Sequence, residues 1–183
     1  NHHDMTRNMV LAALFAALTA IGAFLQIPTG TVPITLQFLF TALAGLLLGW
    51  KWGAVSQLLY VGIGLLGLPV FTQGGGIGYV LQPSFGFLLG LIPAAAVIGA
   101  LTARRTGYLT VLAAVLVGDL ILYAVGVPYM YLILHVYMQS AKTFPALLAA
   151  MLVYVPGDTL KIIVVTALAP VLRRTLVKAV PNL

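Results

Sequence analysis

The chain has 183 residues, of which 62% are apolar and 7% charged, with a formal net charge of +6 and no cysteine. A soluble domain carries about 25% charged residues, so this composition cannot build a water-facing surface and points to lipid as the solvent. The missing cysteines exclude disulfides and thiolate metal sites. The basic residues sit in short gaps between apolar runs, without an aromatic-interleaved basic face, which argues against a nucleic-acid binder.

Asn1-His2-His3-Asp4 is read as the end of an expression tag, and residues 1–5 are set apart from a single membrane domain over 6–178, with a tail at 179–183. No signal peptide is evident, and the first apolar run is expected to be retained as a helix. No charge occurs between Arg7 and Lys51, and none between Lys51 and Arg104. Roughly 20 residues cross a bilayer core, so each stretch must reverse once, and Pro and Gly mark where. The first reversal is Ile27-Pro28-Thr29-Gly30-Thr31-Val32-Pro33, and the second is the Gly-rich stretch from Pro69 to Pro83.

The spacing predicts helices over 8–26, 34–50, 52–68, 84–103 and 108–126. Residues 127–156 are apolar but broken by Pro128, Pro145 and Pro156. Since proline interrupts helices, short helices near one membrane face are expected there. The last helix is expected from about 156 to 174, with a long kinked helix from 144 as the alternative. The fold class is therefore an all-α integral membrane protein of six transmembrane helices.

An even count places both termini on one side. Arg7, Lys51, Arg104, Arg105, Arg173, Arg174 and Lys178 then share that side, and only Lys142 lies in an opposite loop. The positive-inside bias makes their side cytoplasmic. Trp50 and Trp52, flanking Lys51, suit an interfacial anchor.

Three ionisable residues fall within apolar runs: Asp119, Asp158 and Lys161. Each costs about 2.5–3.5 kcal/mol at a membrane centre on insertion scales, which makes such residues functional candidates. Asp158 and Lys161 are three apart and share a helix face. Either Asp158 caps the last helix and pairs with Lys161, or the two bind a polar ligand near the outer side; the readings are compatible. Asp119 is either a second site carboxylate or a partner for polar groups of a neighbouring helix.

The loop Thr72-Gln73-Gly74-Gly75-Gly76-Ile77-Gly78-Tyr79-Val80-Leu81-Gln82-Pro83 combines glycines, which let backbone approach a ligand, with Tyr79 and the amides of Gln73 and Gln82. It is either a plain reversal or a lid or wall over a site. It is not a phosphate-binding loop, because no Gly-Lys-Ser/Thr follows. Thr35 and Gln37 open the second helix, where they either line a pocket or bond the helix end. Gln57 and Tyr60 are expected to bond internally. His135 stands alone among aromatics and has no metal partner at ligand spacing.

Ala12, Ala13, Ala16, Ala17 and Ala20 make a small-residue surface on helix 1, suited to close contact within the chain or with a partner. Gly45 with Gly49, and Gly86 with Gly90, repeat that spacing and are expected to serve contacts within the chain.

Taken together, several segments resemble one family. They are Val32-Pro33-Ile34-Thr35-Leu36-Gln37, Leu46-Leu47-Leu48-Gly49, Leu65-Leu66-Gly67-Leu68-Pro69-Val70-Phe71, Gly74-Gly75-Gly76-Ile77-Gly78-Tyr79, the run from Gln82-Pro83-Ser84-Phe85 to Gly90, and Pro156-Gly157-Asp158-Thr159-Leu160-Lys161. The chain is similar to the BioY family, the biotin-specific S component of energy-coupling factor (ECF) transporters. Pro83-Ser84 departs mildly from the family's Pro-Thr, and 127–155 matches least.

The resemblance implies the six-helix S-component fold with an external vitamin pocket, and biotin as transported substrate without a cofactor. It implies that Gly76, Gly78 and Tyr79 cover the pocket and that Asp158 and Lys161 bind the vitamin; Gln82, Thr35 and Gln37 join them as substrate-binding candidates from their own positions in the chain. It also implies a multi-pass protein of the cell membrane whose helix 1 docks through Ala13 and Ala17 on a membrane coupling subunit, with two ATPase subunits completing the complex. A stand-alone biotin carrier, with Asp119 coupling to protons, is the alternative. An intramembrane enzyme is disfavoured, since the chain has no cysteine and its two membrane carboxylates lie on different helices.

Overall fold

The computed structural model describes residues 2–27, 34–104, 107–139 and 143–179. Among the described residues the named elements are helices apart from a ladder of two residues per strand. Helix α1 spans His2–Phe24. Strands β1 (Gln26–Ile27) and β2 (Ile34–Thr35) pair antiparallel, Gln26 opposite Thr35 and Ile27 opposite Ile34. That pairing places the first reversal between them, as the Pro and Gly spacing predicts; residues 28–33 lie outside the described residues.

Helix α2 covers Gln37–Leu65, but it is not one rod. In a straight helix Gln37 and Tyr60 would stand about 35 Å apart, yet Gln37 Nε2 donates to the Tyr60 hydroxyl at 2.6 Å. Thr41 likewise reaches Gln57 at 2.8 Å, and a Cβ on Gly53 would meet Gly45 Cα at 2.9 Å. The three pairs share one centre, Gly49, whose φ of 88° and ψ of 177° fall where only glycine is at ease. Two antiparallel arms, 37–48 and 50–65, therefore replace the two expected helices. Gly49 makes the turn itself; only Gly45 of that pair is a packing glycine, seated 2.5 Å (by its Cβ position) from the Ala95 carbonyl.

The bond between the arms is polar and buried. Thr19, Thr41, Ser56 and Gln57 are all fully enclosed. Gln57 Oε1 accepts from Thr41, and its Nε2 donates to Thr19 at 3.2 Å and Ser56 at 3.1 Å. An amide left unpaired in such a place would cost several kcal/mol, so this knot ties α1 to both arms. The internal bonding expected for Gln57 and Tyr60 is what the structure holds.

Helix α3 runs Phe85–Leu101, and α4 runs Tyr108–Leu132, continuing as a π turn over Ile133–Tyr137. The expected end of this helix at 126 is corrected, because Pro128 does not stop it. Neighbouring helices hold the region in place: Gly126 packs on the Phe87 ring, Val127 and Met130 are buried, and the Tyr129 hydroxyl donates to the Val80 carbonyl. Pro93 and Pro170 sit inside helices in the same way, as membrane helices tolerate.

Short α5 (Phe144–Ala150) starts at Thr143, whose side chain accepts from Ala146 N, and passes through a 3₁₀ turn (Met151–Tyr154) into α6 (Val155–Ala179). Residues 144–179 thus form the kinked run, with the short α5 as its first segment. Asp158 consequently lies within the first turn of α6 rather than capping it.

Among the described residues, Met5–Phe24, Gln37–Leu65, Tyr108–Tyr137 and Val155–Thr175 are long and apolar enough to cross a membrane, and Phe85–Leu101 is apolar but shorter, at 17 residues. Helix α1 packs on α2, α2 on α3 and α3 on α4, while α6 closes the bundle against α2 and α4. Gly86 and Gly90 serve that packing, against Tyr129 and Leu122 of α4.

Candidate binding site

The closure of α6 on α2 and α4 leaves a cavity, with about 640 Å³ of empty space including its open mouth. Its polar lining comes from five places. Gln37 opens α2, Thr72 and Tyr79 belong to the Gly-rich segment, Ser84 precedes α3, Tyr123 comes from α4, and Tyr154, Asp158 and Lys161 come from the run into α6. Phe38, Phe87, Leu88, Leu91, Leu122 and Met151 supply apolar walls.

The charged pair is at the α6 side. Lys161 Nζ lies 3.5 Å from Asp158 Oδ1, both side chains being largely buried. The Tyr123 hydroxyl donates to the other carboxylate oxygen, Oδ2. Tyr123 is itself held edge-on by Phe87, with ring centroids 5.7 Å apart and planes at 84°. A buried carboxylate is tolerable when paired and hydrogen-bonded, and here one oxygen is served from α4 and the other from the next turn of its own helix.

Behind Tyr79 the packing is aromatic. Phe71 is fully enclosed and sits 4.6 Å from Tyr79 and 5.5 Å from Tyr60 by ring centroid. The Tyr79 hydroxyl is 3.2 Å from Thr72 Oγ1. The glycines permit this close folding: Phe71 and Gly74 exchange backbone bonds of 2.8 and 3.3 Å, and Gly76 N donates to the Gly64 carbonyl at 2.6 Å. A Cβ on Gly75 would stand 2.2 Å from the Leu68 carbonyl oxygen. The segment is a packed wall rather than a loose reversal.

Of the residues singled out from sequence, Asp158, Lys161, Tyr79 and Gln37 line this cavity. Gly76, Gly78 and Gln82 belong to the segment that carries Tyr79 but are not among its lining residues. The Thr35 side chain lies outside the described residues, as do Lys142 and Arg105. Asp119 is elsewhere: it lines a second hollow between α4, α5 and α6, and its Oδ1 is buried with no hydrogen-bond partner among the described residues. On α1, Ala13 and Ala17 are exposed while Ala12 and Ala16 are buried, so the alanine surface has two faces. His135 is exposed and stacks on Tyr131 at 5.2 Å.

Thr72, Ser84, Tyr123 and Tyr154 are the polar lining residues that sequence reasoning did not assign to the site, and for the two tyrosines it could have done so. The signal was present: Tyr123 follows Asp119 by four positions and Tyr154 precedes Asp158 by four, the spacing that aligns side chains on one helix face.

Chemically, the cavity offers a carboxylate to accept N–H bonds, an ammonium to meet a carbonyl or carboxylate, and flat apolar walls. That set suits a small, partly apolar ligand bearing N–H donors. Among the described residues no group of His, Cys, Asp and Glu is placed to hold a metal ion.

Comparison with known proteins identifies the fold and the family. A solved structure described as the S-component for biotin from an ECF-type ABC transporter superposes with a TM-score of 0.83 at 29% identity, covering 95% of this chain and 94% of its own. A probable biotin transporter from Lysinibacillus sphaericus is 54% identical over 141 residues, which is 76% of this chain and 72% of that protein. A biotin transporter from Thermotoga maritima is 35% identical over 164 residues, 89% of this chain and 94% of that protein. The family model for BioY matches residues 1–178, and the chain belongs to the BioY family.

Proposed function

We propose that this chain is the biotin-binding membrane subunit of an ECF-type importer. It captures biotin from outside and delivers it through a membrane coupling subunit, driven by two ATPase subunits in other chains. The observation that carries this reading is the Tyr123–Asp158–Lys161 cluster in a cavity whose remaining lining combines rings and aliphatic side chains with Gln37, Thr72 and Ser84. Biotin has two ureido N–H donors, a ureido carbonyl, an apolar fused ring and a carboxylate tail. Asp158 accepts from a ureido N–H, and Lys161 serves an oxygen of the ligand, either the ureido carbonyl or the tail carboxylate. Tyr79 and Gln37 contact the ligand as well. Gly76, Gly78 and Gln82 shape the segment that carries Tyr79, and Thr35 sets the start of α2 beside Gln37.

In this reading the chain crosses the membrane six times, through α1, the two arms of α2, α3, α4 and α6. Both termini are cytoplasmic, because Arg7, Lys51, Arg104, Arg173 and Arg174 then share a side. Since the chain has no cysteine, single cysteines at positions 51 and 73 can be labelled from either side of intact cells; labelling of 73 alone from outside is expected.

Calorimetry of the detergent-purified protein against biotin, thiamine and riboflavin tests the ligand. Binding of biotin alone is the expected result. Saturable binding of either other vitamin in its place would overturn the assignment.

A further inference from the structure

Two hollows meet at Tyr123 and Asp158. One is the ligand cavity. The other lies between α4, α5 and α6, encloses about 1130 Å³ with its open mouth, and carries Asp119 on its wall. Tyr123, Met151 and Asp158 line both. The second hollow is bordered by Leu120 and Leu152, which are 69% and 68% exposed, so in a membrane it opens toward lipid.

Asp158 can therefore present its carboxylate to either space, and something must choose. Lys161 cannot do so alone: it is one turn along the same helix, so it moves with Asp158. Tyr123 belongs to α4, and its hydroxyl donates to Oδ2 across the helix boundary. The Phe87 ring fixes the tyrosine from α3, so the hydroxyl is placed by two helices that do not carry the carboxylate. On the far side stands Asp119, close enough to Asp158 to interact with it, with one buried oxygen that has no hydrogen-bond partner among the described residues. A carboxylate turning that way would meet a second one.

We infer that Tyr123 is the positioning residue for ligand recognition: it holds the Asp158 carboxylate toward the ligand cavity and forms the partition that closes this cavity from the lipid-side hollow. The inference rests on the biotin-binding reading. It goes beyond that reading by assigning specificity to a residue outside the Asp158–Lys161 motif.

The test is biotin titration of the parent protein, Tyr123→Phe, Asp158→Asn and the double variant, each with its ligand-free melting temperature. Tyr123→Phe keeps the ring and the partition and removes only the hydroxyl. It is expected to weaken biotin binding about tenfold, the loss of a single charge-assisted bond, while melting within a few degrees of the parent. In the Asp158→Asn background the same change should weaken binding less than about twofold, because the carboxylate it positions is gone. If Asp158→Asn binds too weakly to titrate, Asp158→Glu takes its place as background: its carboxylate stands one methylene beyond the Tyr123 hydroxyl, so removing the hydroxyl should again cost less than it does in the parent. A merely structural tyrosine would cost the same factor in both backgrounds, and that result overturns the inference. So does a Tyr123→Phe variant that binds like the parent. Failure of the parent to bind biotin would instead remove the functional reading beneath it.

Discussion

Gln37 and Tyr60 stand on opposite arms of α2 and are joined by a hydrogen bond of 2.6 Å from the amide nitrogen to the phenol oxygen. The phenol in turn donates to the Val70 carbonyl at 2.9 Å. One hydroxyl thus links a cavity-lining amide to the backbone that leads into the Gly-rich wall. Removing it takes one bond from a buried amide and one from a half-buried carbonyl, at a cost of about 1–3 kcal/mol. Tyr60→Phe is expected to lower the melting temperature in detergent and to weaken biotin binding, because both Gln37 and the Phe71–Tyr79 wall lose their tie. A melting curve unchanged from the parent would show that the relay carries no stability.

Asp158 and Lys161 are expected to respond differently to neutralisation. On the proposed binding mode, Asp158→Asn keeps the shape but turns half of an acceptor group into a donor toward the ligand's own N–H, and should weaken biotin about tenfold to a hundredfold. Lys161→Ala leaves the carboxylate with Tyr123 as its remaining partner among the bonds described above, a buried charge less well compensated. It should lower both affinity and melting temperature, whereas Asp158→Asn should lower affinity chiefly. Titration and melting of the two variants side by side check the split; equal affinity to the parent in both would remove the pair from the site.

Much of this was legible in the chain because lipid forbids casual polarity. The uncharged runs between Arg7, Lys51 and Arg104 required reversals, and the chain turns in both places. Asp158 and Lys161 stood out for the same reason, and they line the cavity. What stayed hidden has a common cause: residues that are ambiguous in an apolar context. Tyr123 and Tyr154 vanish into apolar stretches of sequence although both line the cavity. Gly49 has the spacing of a packing glycine, but its φ of 88° makes it a turn. Pro128 looks like a helix stop, yet α4 runs through it, because tertiary packing holds the helix on both sides of the lost bond.

Gly76 and Gly78 stand two residues apart and are expected to tolerate alanine very differently. Gly76 has φ of 100° and ψ of 164°, a region nearly closed to other residues. Its N–H is also tied to Gly64. Alanine there should cost on the order of 1–3 kcal/mol and displace Tyr79, reducing biotin affinity. Gly78 has no neighbour within 4 Å of a Cβ and is not among the positive-φ residues. Gly78→Ala should change stability by less than about 0.5 kcal/mol and leave binding near the parent value. Loss of binding in Gly78→Ala with a normal melting curve would instead place that backbone against the ligand.

The alanines of α1 separate into two sets with opposite expected behaviour. Ala12 and Ala16 are 1% and 5% exposed, and a larger side chain there must force α1 away from its neighbour. Ala12→Leu or Ala16→Leu is expected to cost about 1–3 kcal/mol by overpacking, seen as a lower melting temperature in the isolated protein. Ala13 and Ala17 face outward, one helix turn apart. Small residues there leave a shallow strip on which another helix can approach closely. Ala13→Trp with Ala17→Trp should leave melting and biotin binding unchanged while blocking uptake in cells that carry the coupling and ATPase subunits. Uptake that survives both tryptophans would move the docking surface off this face of α1. Uptake at parent rate in cells lacking those subunits would show that the chain transports without them.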